Sequence, residues 1–152
     1  VNSSYSHLNT ALKQNVRAFR AGKRDFSIEE LNNIKIYLLR YKETLSQTEF
    51  FQGTLKEYKV ISCFTESTFY DELFEYMCNK LSAGICIIVV LSEKKVLLLR
   101  NNKICSIDLC TLAKLLCDGD CENLSVDIAA GKITEKFLKF TKTLQACTTP
   151  KI

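Results

Sequence analysis

Cys105, Cys110, Cys117 and Cys121 follow one another as C-x4-C-x6-C-x3-C, and Asp118, Asp120 and Glu122 crowd around the last of them. Thiols and carboxylates gathered in this way are the strongest metal-binding prospect in the chain. Their spacing argues against it. Structural zinc sites use tight knuckles such as C-x2-C, and the sequence has none. An EF-hand loop counted from Asp118 needs Gly at its sixth position and Glu at its twelfth, where this chain has Asn123 and Ala129. No Walker A and no G-x-G-x-x-G motif is present, so neither a metal nor a nucleotide cofactor is expected. His7 is the only histidine and has no Ser or Cys partner in the pattern, which disfavours a nucleophilic triad or dyad. The carboxylates of "SIEEL" and "YDELFEY" read as exposed helix faces. No catalytic residue emerges, and the chain by itself is not expected to be an enzyme.

Charge is more informative. Residues 1–24 hold Lys13, Arg17, Arg20, Lys23 and Arg24 and no acid. Residues 131–152 hold Lys132, Lys136, Lys139, Lys142 and Lys151 against Glu135 alone. The stretch between carries 11 basic and 16 acidic residues. Basic ends around an acidic middle fit a polyanion held at the ends, or simply solvated helix faces. The eight cysteines look like buried free thiols rather than a disulfide scaffold. A chain of 152 residues buries enough surface without staples, and a reducing, cytoplasmic setting follows by default. No apolar run reaches membrane-spanning length, the polar start "VNSSYSHLNT" is not a secretory signal, and a first residue Val1 suggests a piece of a longer protein.

The elements that position these residues are legible from periodicity. Leu8, Leu12, Val16 and Phe19 predict a helix over residues 5–21, with Lys13, Arg17, Arg20 and Arg24 on one face if the helix continues past Gly22. Ser27 and Glu30 make a capping box, with Phe26 and Leu31 as its apolar staple. Leu31, Ile34, Leu38, Tyr41 and Leu45 then step by three and four, predicting a second helix that runs to about Phe51. A short turn makes the two an antiparallel, coiled-coil-like hairpin over residues 1–56. Residues 57–152 read as a small mixed globule: strand 59–64, helix 65–81, strand 84–92, hairpin strand 96–100, helix 106–117 capped by Ser106, a short strand in "SVDIAAG", and a last helix over 132–146. The fold class is therefore α+β, a helical hairpin followed by a β-α-β-β-α domain with a C-terminal helix. Tyr37, Tyr41 and Tyr58 are candidate base-stacking residues whose spacing also suits half-buried packing.

That order of elements, with "LAKLLCDGD" closing one helix and "SVDIAAGKI" leading into the next, resembles the C-terminal domain of alanyl-tRNA synthetase, related to the globules appended to DHH-type phosphoesterases. The likeness covers most of the chain by architecture and residues 106–146 by local sequence. It implies a non-catalytic accessory domain of a ligase, in the cytoplasm or an organelle. Such a domain contacts the elbow of alanine tRNA and tethers it for aminoacylation and editing by the remaining domains of the parent synthetase. It also implies that the hairpin can support a homodimer. Gly119 and Gly131 are matched to the glycines that shape the family's loop. Lys13, Arg17, Arg20, Lys23, Arg24, Lys132, Lys136 and Lys139 are the candidate tRNA contacts. The chain departs from the family where Asp118, Asp120, Cys121 and Glu122 replace glycines. Acids there repel phosphate, so a protein-interaction or dimerisation module of the same fold, without tRNA binding, is the alternative. Its seam would be Leu31 to Leu45.

Overall fold

Apolar residues recur every three or four positions at first and in dense short runs later, and the elements follow that change. Helices α1 (Ser3–Arg20) and α2 (Ile28–Gln47) come first. Strands β1 (Phe50–Leu55) and β2 (Tyr58–Thr65) follow, then α3 (Tyr70–Asn79), β3 (Ile85–Val90), β4 (Lys95–Arg100) and α4 (Leu109–Cys117). The chain continues through β5 (Cys121–Asn123), β6 (Ile128–Lys132), α5 (Glu135–Thr141) and β7 (Gln145–Ala146). In this computed structural model the described residues are 3–65, 69–117, 121–123 and 128–147. They make an α+β fold with one mixed sheet, split into two compact units, Val1–Ser46 and Gln47–Ile152. Among the described residues no helix is long and apolar enough to cross a membrane.

The first unit is defined by how its two helices stop and start. Gly22 has φ +113°, a value that L side chains rarely adopt. With that residue reversed, Lys23 N–H reaches the Ala18 carbonyl at 3.0 Å and Gly22 N–H reaches Phe19 at 3.1 Å. This is a Schellman closure, in which two otherwise orphaned carbonyls at the helix end gain donors. Five residues on, the capping box forms as expected. Ser27 N–H donates to the Glu30 carboxylate at 2.8 Å, and Glu30 N–H donates to the Ser27 hydroxyl at 3.1 Å. Ile34, Tyr37 and Leu45 of α2 are buried.

The second unit is built on β3, whose six residues are all buried. The sheet order is β5-β6-β4-β3-β2-β1-β7. Only β2 and β3 run parallel; β3 and β4 form the expected antiparallel pair. Alternate residues of a strand point to opposite faces. Ile85, Ile87 and Val89 join Val60, Val96 and Leu98 in a cluster with Leu109, Leu112 and Leu116 of α4 and Phe137 of α5. Cys86 faces the other way, where its sulfur meets Cys78 of α3. The sheet is thus covered by α4 and α5 on one side and by α3 on the other.

Several boundaries differ from the sequence expectation. The second helix ends at Gln47 rather than near Phe51, and residues 50–55 become β1, paired along their length with β2. The division of the chain accordingly falls at Ser46/Gln47, not after residue 56. The helix expected from residue 65 begins at Tyr70, and Phe69 at its N-cap provides no side-chain cap. The α4 helix starts at Leu109, with the Asp108 carboxylate accepting from Thr111 N–H at 3.3 Å, so Asp108 rather than Ser106 caps it. The last helix is shorter than 132–146: Thr134 caps it by accepting from Phe137 N–H at 3.1 Å, and Gln145–Ala146 instead pair with β1. Strands β1, β5 and β7 were not anticipated.

Two substitutions probe this fold. Phe137→Ala should cost about 3–5 kcal/mol in urea denaturation, because the ring is 1% exposed within the main core; a cost under about 1 kcal/mol would contradict the packing of α5. Gly22→Ala should cost about 1 kcal/mol through backbone strain alone, since nothing lies within 4 Å of the added Cβ.

Candidate nucleic-acid interface

The expected cationic stripe on α1 is shorter than its sequence spacing suggests. Lys13, Arg17 and Arg20 lie at i, i+4 and i+7 on α1 and share a face. Arg17 and Arg20 are exposed, while Lys13 is half-buried. Arg24 drops out, because the helix closes at Gly22 and never carries it. Its guanidinium turns back, donating to the carbonyls of Phe19 at 2.7 Å and Lys23 at 2.8 Å. It also lies 4.3 Å from the centroid of the Phe19 ring. A cation at a helix C-terminus satisfies orphan carbonyls and the helix dipole. The Lys23 ammonium sits 4.9 Å over the Phe26 ring. Both residues therefore help hold the connector together.

The three lysines near the other end do not share one helix. Lys132 ends β6, opposite Lys95 of β4, whereas Lys136 and Lys139 lie on α5. All three are exposed. Lys136 donates to the Lys114 carbonyl at 2.6 Å, in the last turn of α4, the end where a cation is favoured. Gly131 is not in a loop. It is buried inside β6, between Val96 of β4 and Cys121 of β5, so it packs the sheet rather than shaping a ligand cradle. Gly119 lies outside the described residues, as do Asp118 and Asp120. Among the described residues no group of three His, Cys, Asp or Glu side chains is placed to hold a metal ion.

A better-formed feature lies in the first unit. Leu38, Leu39 and Tyr41 line an open groove of about 520 Å³ together with Arg20, Lys35 and Lys42. No acid lines it. The groove brings one expected contact, Arg20, beside two lysines that lie outside the basic chain ends. Their signal was present in the sequence: Lys35 and Lys42 are one heptad apart on α2 and so lie along one side of it. The three stacking candidates separate. Tyr37 is only 6% exposed and unavailable. The Tyr58 hydroxyl pairs with Ser106 at 3.2 Å while its ring packs on the sheet core. Tyr41 alone stands among the cations.

The unit boundary sharpens the charge distribution. Residues 1–46 hold eight Lys/Arg against four Asp/Glu, and residues 47–152 hold thirteen of each. The whole net charge of +4 belongs to the helical unit. No family model matches the chain, and neither does any curated protein or solved structure.

The capping box that starts α2, and so carries Lys35 and Lys42 into place, titrates. The Ser27 N–H holds the Glu30 carboxyl below its ordinary 4.5, aided by the Ser27 hydroxyl and by Lys23. A depressed folded pKa contributes stability that is present above the unfolded value and lost as pH falls through the folded one. Acid titration followed by far-UV circular dichroism should therefore show a helix-loss component developing below 4.5. Glu30→Gln, which does not titrate, should lack it; an identical acid profile for both proteins would discount the box.

Proposed function

We propose that the chain is a non-catalytic RNA-binding domain, and that its helical unit grips the tRNA elbow as the resemblance to the C-terminal domain of alanyl-tRNA synthetase implies. In this reading the helical hairpin and the β-α-β-β-α globule belong to an accessory module of an alanine–tRNA ligase, whose other domains perform the chemistry. The observation that supports it most is the groove where Arg20, Lys35 and Lys42 surround Tyr41. Cations beside an aromatic face suit a phosphate backbone with an unstacked base. Recognition of this kind responds to shape and charge rather than to base sequence, which fits the elbow, where loops meet. The sheet unit, with balanced charge, is the weaker partner for a polyanion, and the acids around Glu122 add to that.

A second reading rests on a different observation. The buried residues Ile34 and Leu45 cannot serve the intermolecular seam that heptad spacing suggests. The opposite side of α2, however, exposes Ile28, Ile36 and Leu39 by 80%, 49% and 66%. Such a stripe favours a protein-interaction or dimerisation role.

Fluorescence anisotropy separates the readings. Full-length alanine tRNA should bind in a salt-sensitive way, and an acceptor-stem minihelix lacking the elbow should bind much more weakly. Lys35→Ala with Lys42→Ala should weaken tRNA binding about tenfold and flatten the log–log salt slope by about 1.4–1.8. Arg24→Ala should leave affinity unchanged. Equal binding of the tRNA and the minihelix would reject the elbow. No tRNA binding together with concentration-dependent mass would favour the second reading.

A further inference from the structure

Two thiols in the sheet unit meet across an interface between a helix and a strand. The sulfur atoms of Cys78 on α3 and Cys86 on β3 lie 3.8 Å apart. Cys86 is fully buried, whereas Cys78 is half-buried and lines a cleft of about 360 Å³. Asp71 and Glu75 of α3 line that cleft, and so do Arg100 and Lys103. Asn101 ties it to the chain before β3: its amide N–H donates to Gly84 and its side chain to Ala83, each at 3.0 Å. The arrangement is an accessible sulfur backed by a second, shielded one, in a small cleft bearing both signs of charge.

We propose that Cys78 and Cys86 form a dithiol site that reacts with a small zwitterionic disulfide of the glutathione type and closes to an intramolecular disulfide. The Cys78 thiolate attacks one sulfur of the incoming disulfide. A new S–S bond forms to Cys78, the old one breaks, and the first small thiol leaves. Cys86 then loses its proton to solvent and attacks the Cys78 sulfur, expelling the second small thiol. Two protein thiols are oxidised by two electrons and one small disulfide is reduced to two thiols. Closure brings the sulfurs from 3.8 Å to about 2.05 Å, a movement within reach of side-chain rotation. Lys103 suits a carboxylate of such a ligand, in a cleft whose lining bears both signs of charge.

The acidities agree with this order of events. As a thiolate Cys78 can only accept from the Cys86 thiol, and this contact holds its pKa below the ordinary 9.0, with Lys103 assisting against the effect of burial. The same contact, together with burial, pushes Cys86 well up. Once Cys78 carries a mixed disulfide it has no charge, and the contact that retains the Cys86 proton is gone. Cys63, also buried, is pushed up to about 12, and it is the sulfur of Cys86, not of Cys63, that meets Cys78.

Mass spectrometry of the whole chain treated with oxidised glutathione, acid-quenched and digested with trypsin without reduction, tests this. Lys80 lies between the two cysteines, so cleavage leaves them on separate peptides joined only by the new bond. The expected product is that cross-linked pair, formed at least about fivefold faster than glutathione adds to Cys110, which is exposed. Cys86→Ala should trap glutathione on Cys78, and Cys78→Ser should abolish the cross-link and leave Cys86 unmodified. Glutathione persisting on Cys78 of the unmutated chain, or Cys78 reacting no faster than Cys110, overturns the proposal. Should Cys86→Ala fail to fold, the unmutated chain decides the matter, with peptide fragmentation placing the bond on Cys78 rather than on Cys63 of the same tryptic peptide.

Discussion

Burial of both faces of β3 is the constraint on which the sheet unit depends. A strand reading Ile-Cys-Ile-Ile-Val-Val cannot leave either face in water, because each apolar side chain so exposed forgoes about 1.5–3 kcal/mol. It must lie inside a sheet, and the sheet must be covered twice. The first requirement is met by β2 in parallel and β4 in antiparallel register. A parallel neighbour needs a crossover long enough to return the chain, and α3 is that crossover. The same segment that connects β2 to β3 therefore also covers one face, which is why a helical cysteine meets a strand cysteine there. The opposite face falls to α4 and α5. Thr134 joins those two helices: its hydroxyl donates to the Leu116 carbonyl at 3.4 Å and accepts from Phe137 N–H at 3.1 Å.

Elements whose signal is local were legible in the residues. The Ser27–Glu30 box spans four residues and its bonds form as read. The β3–β4 hairpin announces itself by two apolar runs around "SEKK". Elements whose signal is distant were not. The helical pattern of α2 reads on to about Phe51, before Gly53 interrupts it, yet residues 50–55 become a strand because β2 offers them a complete ladder. Phe51 meets Phe64 edge-on at 6.1 Å, and Phe50 meets Tyr76 at 5.3 Å. Neither contact leaves a trace in the spacing of residues 50–55. The same holds for Gln145–Ala146, which extend an apolar helical pattern but pair with Phe51 and Gln52 at the sheet edge. Gly53 in β1 accommodates Leu144, whose side chain would collide with a Cβ at 2.5 Å.

The candidate site was legible to a different degree, because charge can be counted from sequence but not located. A run of cations at sequence positions 13, 17, 20, 23 and 24 looks uniform. One backbone reversal at Gly22 divides it. Residues before the reversal stay on the helix surface, and Arg24 after it is drawn onto the carbonyls that the helix leaves open. Lys136 likewise serves the end of α4. Helix termini thus compete with any polyanion for the same side chains, and the competition is strongest where basic residues gather at helix ends. Lys35 and Lys42 escape it because both lie well inside α2.

The stretch whose composition is most unusual in the sequence lies in the other unit. The segment from Leu115 to Ile133 concentrates acids, cysteines and glycines. Much of what the structure describes there is ladder: β5 pairs with β6, and Gly131 stands between two strands. A glycine in that position lets neighbouring backbones and side chains pack closely, a role that needs no ligand. Glu122 lies exposed on the edge strand beside it, where a charge discourages pairing with another sheet edge. The glycine that the resemblance matches to a family loop is thus explained by packing inside the sheet. The positive field that a nucleic acid would seek lies in the two-helix unit, where the excess charge resides and where cations, leucines and one tyrosine share a groove.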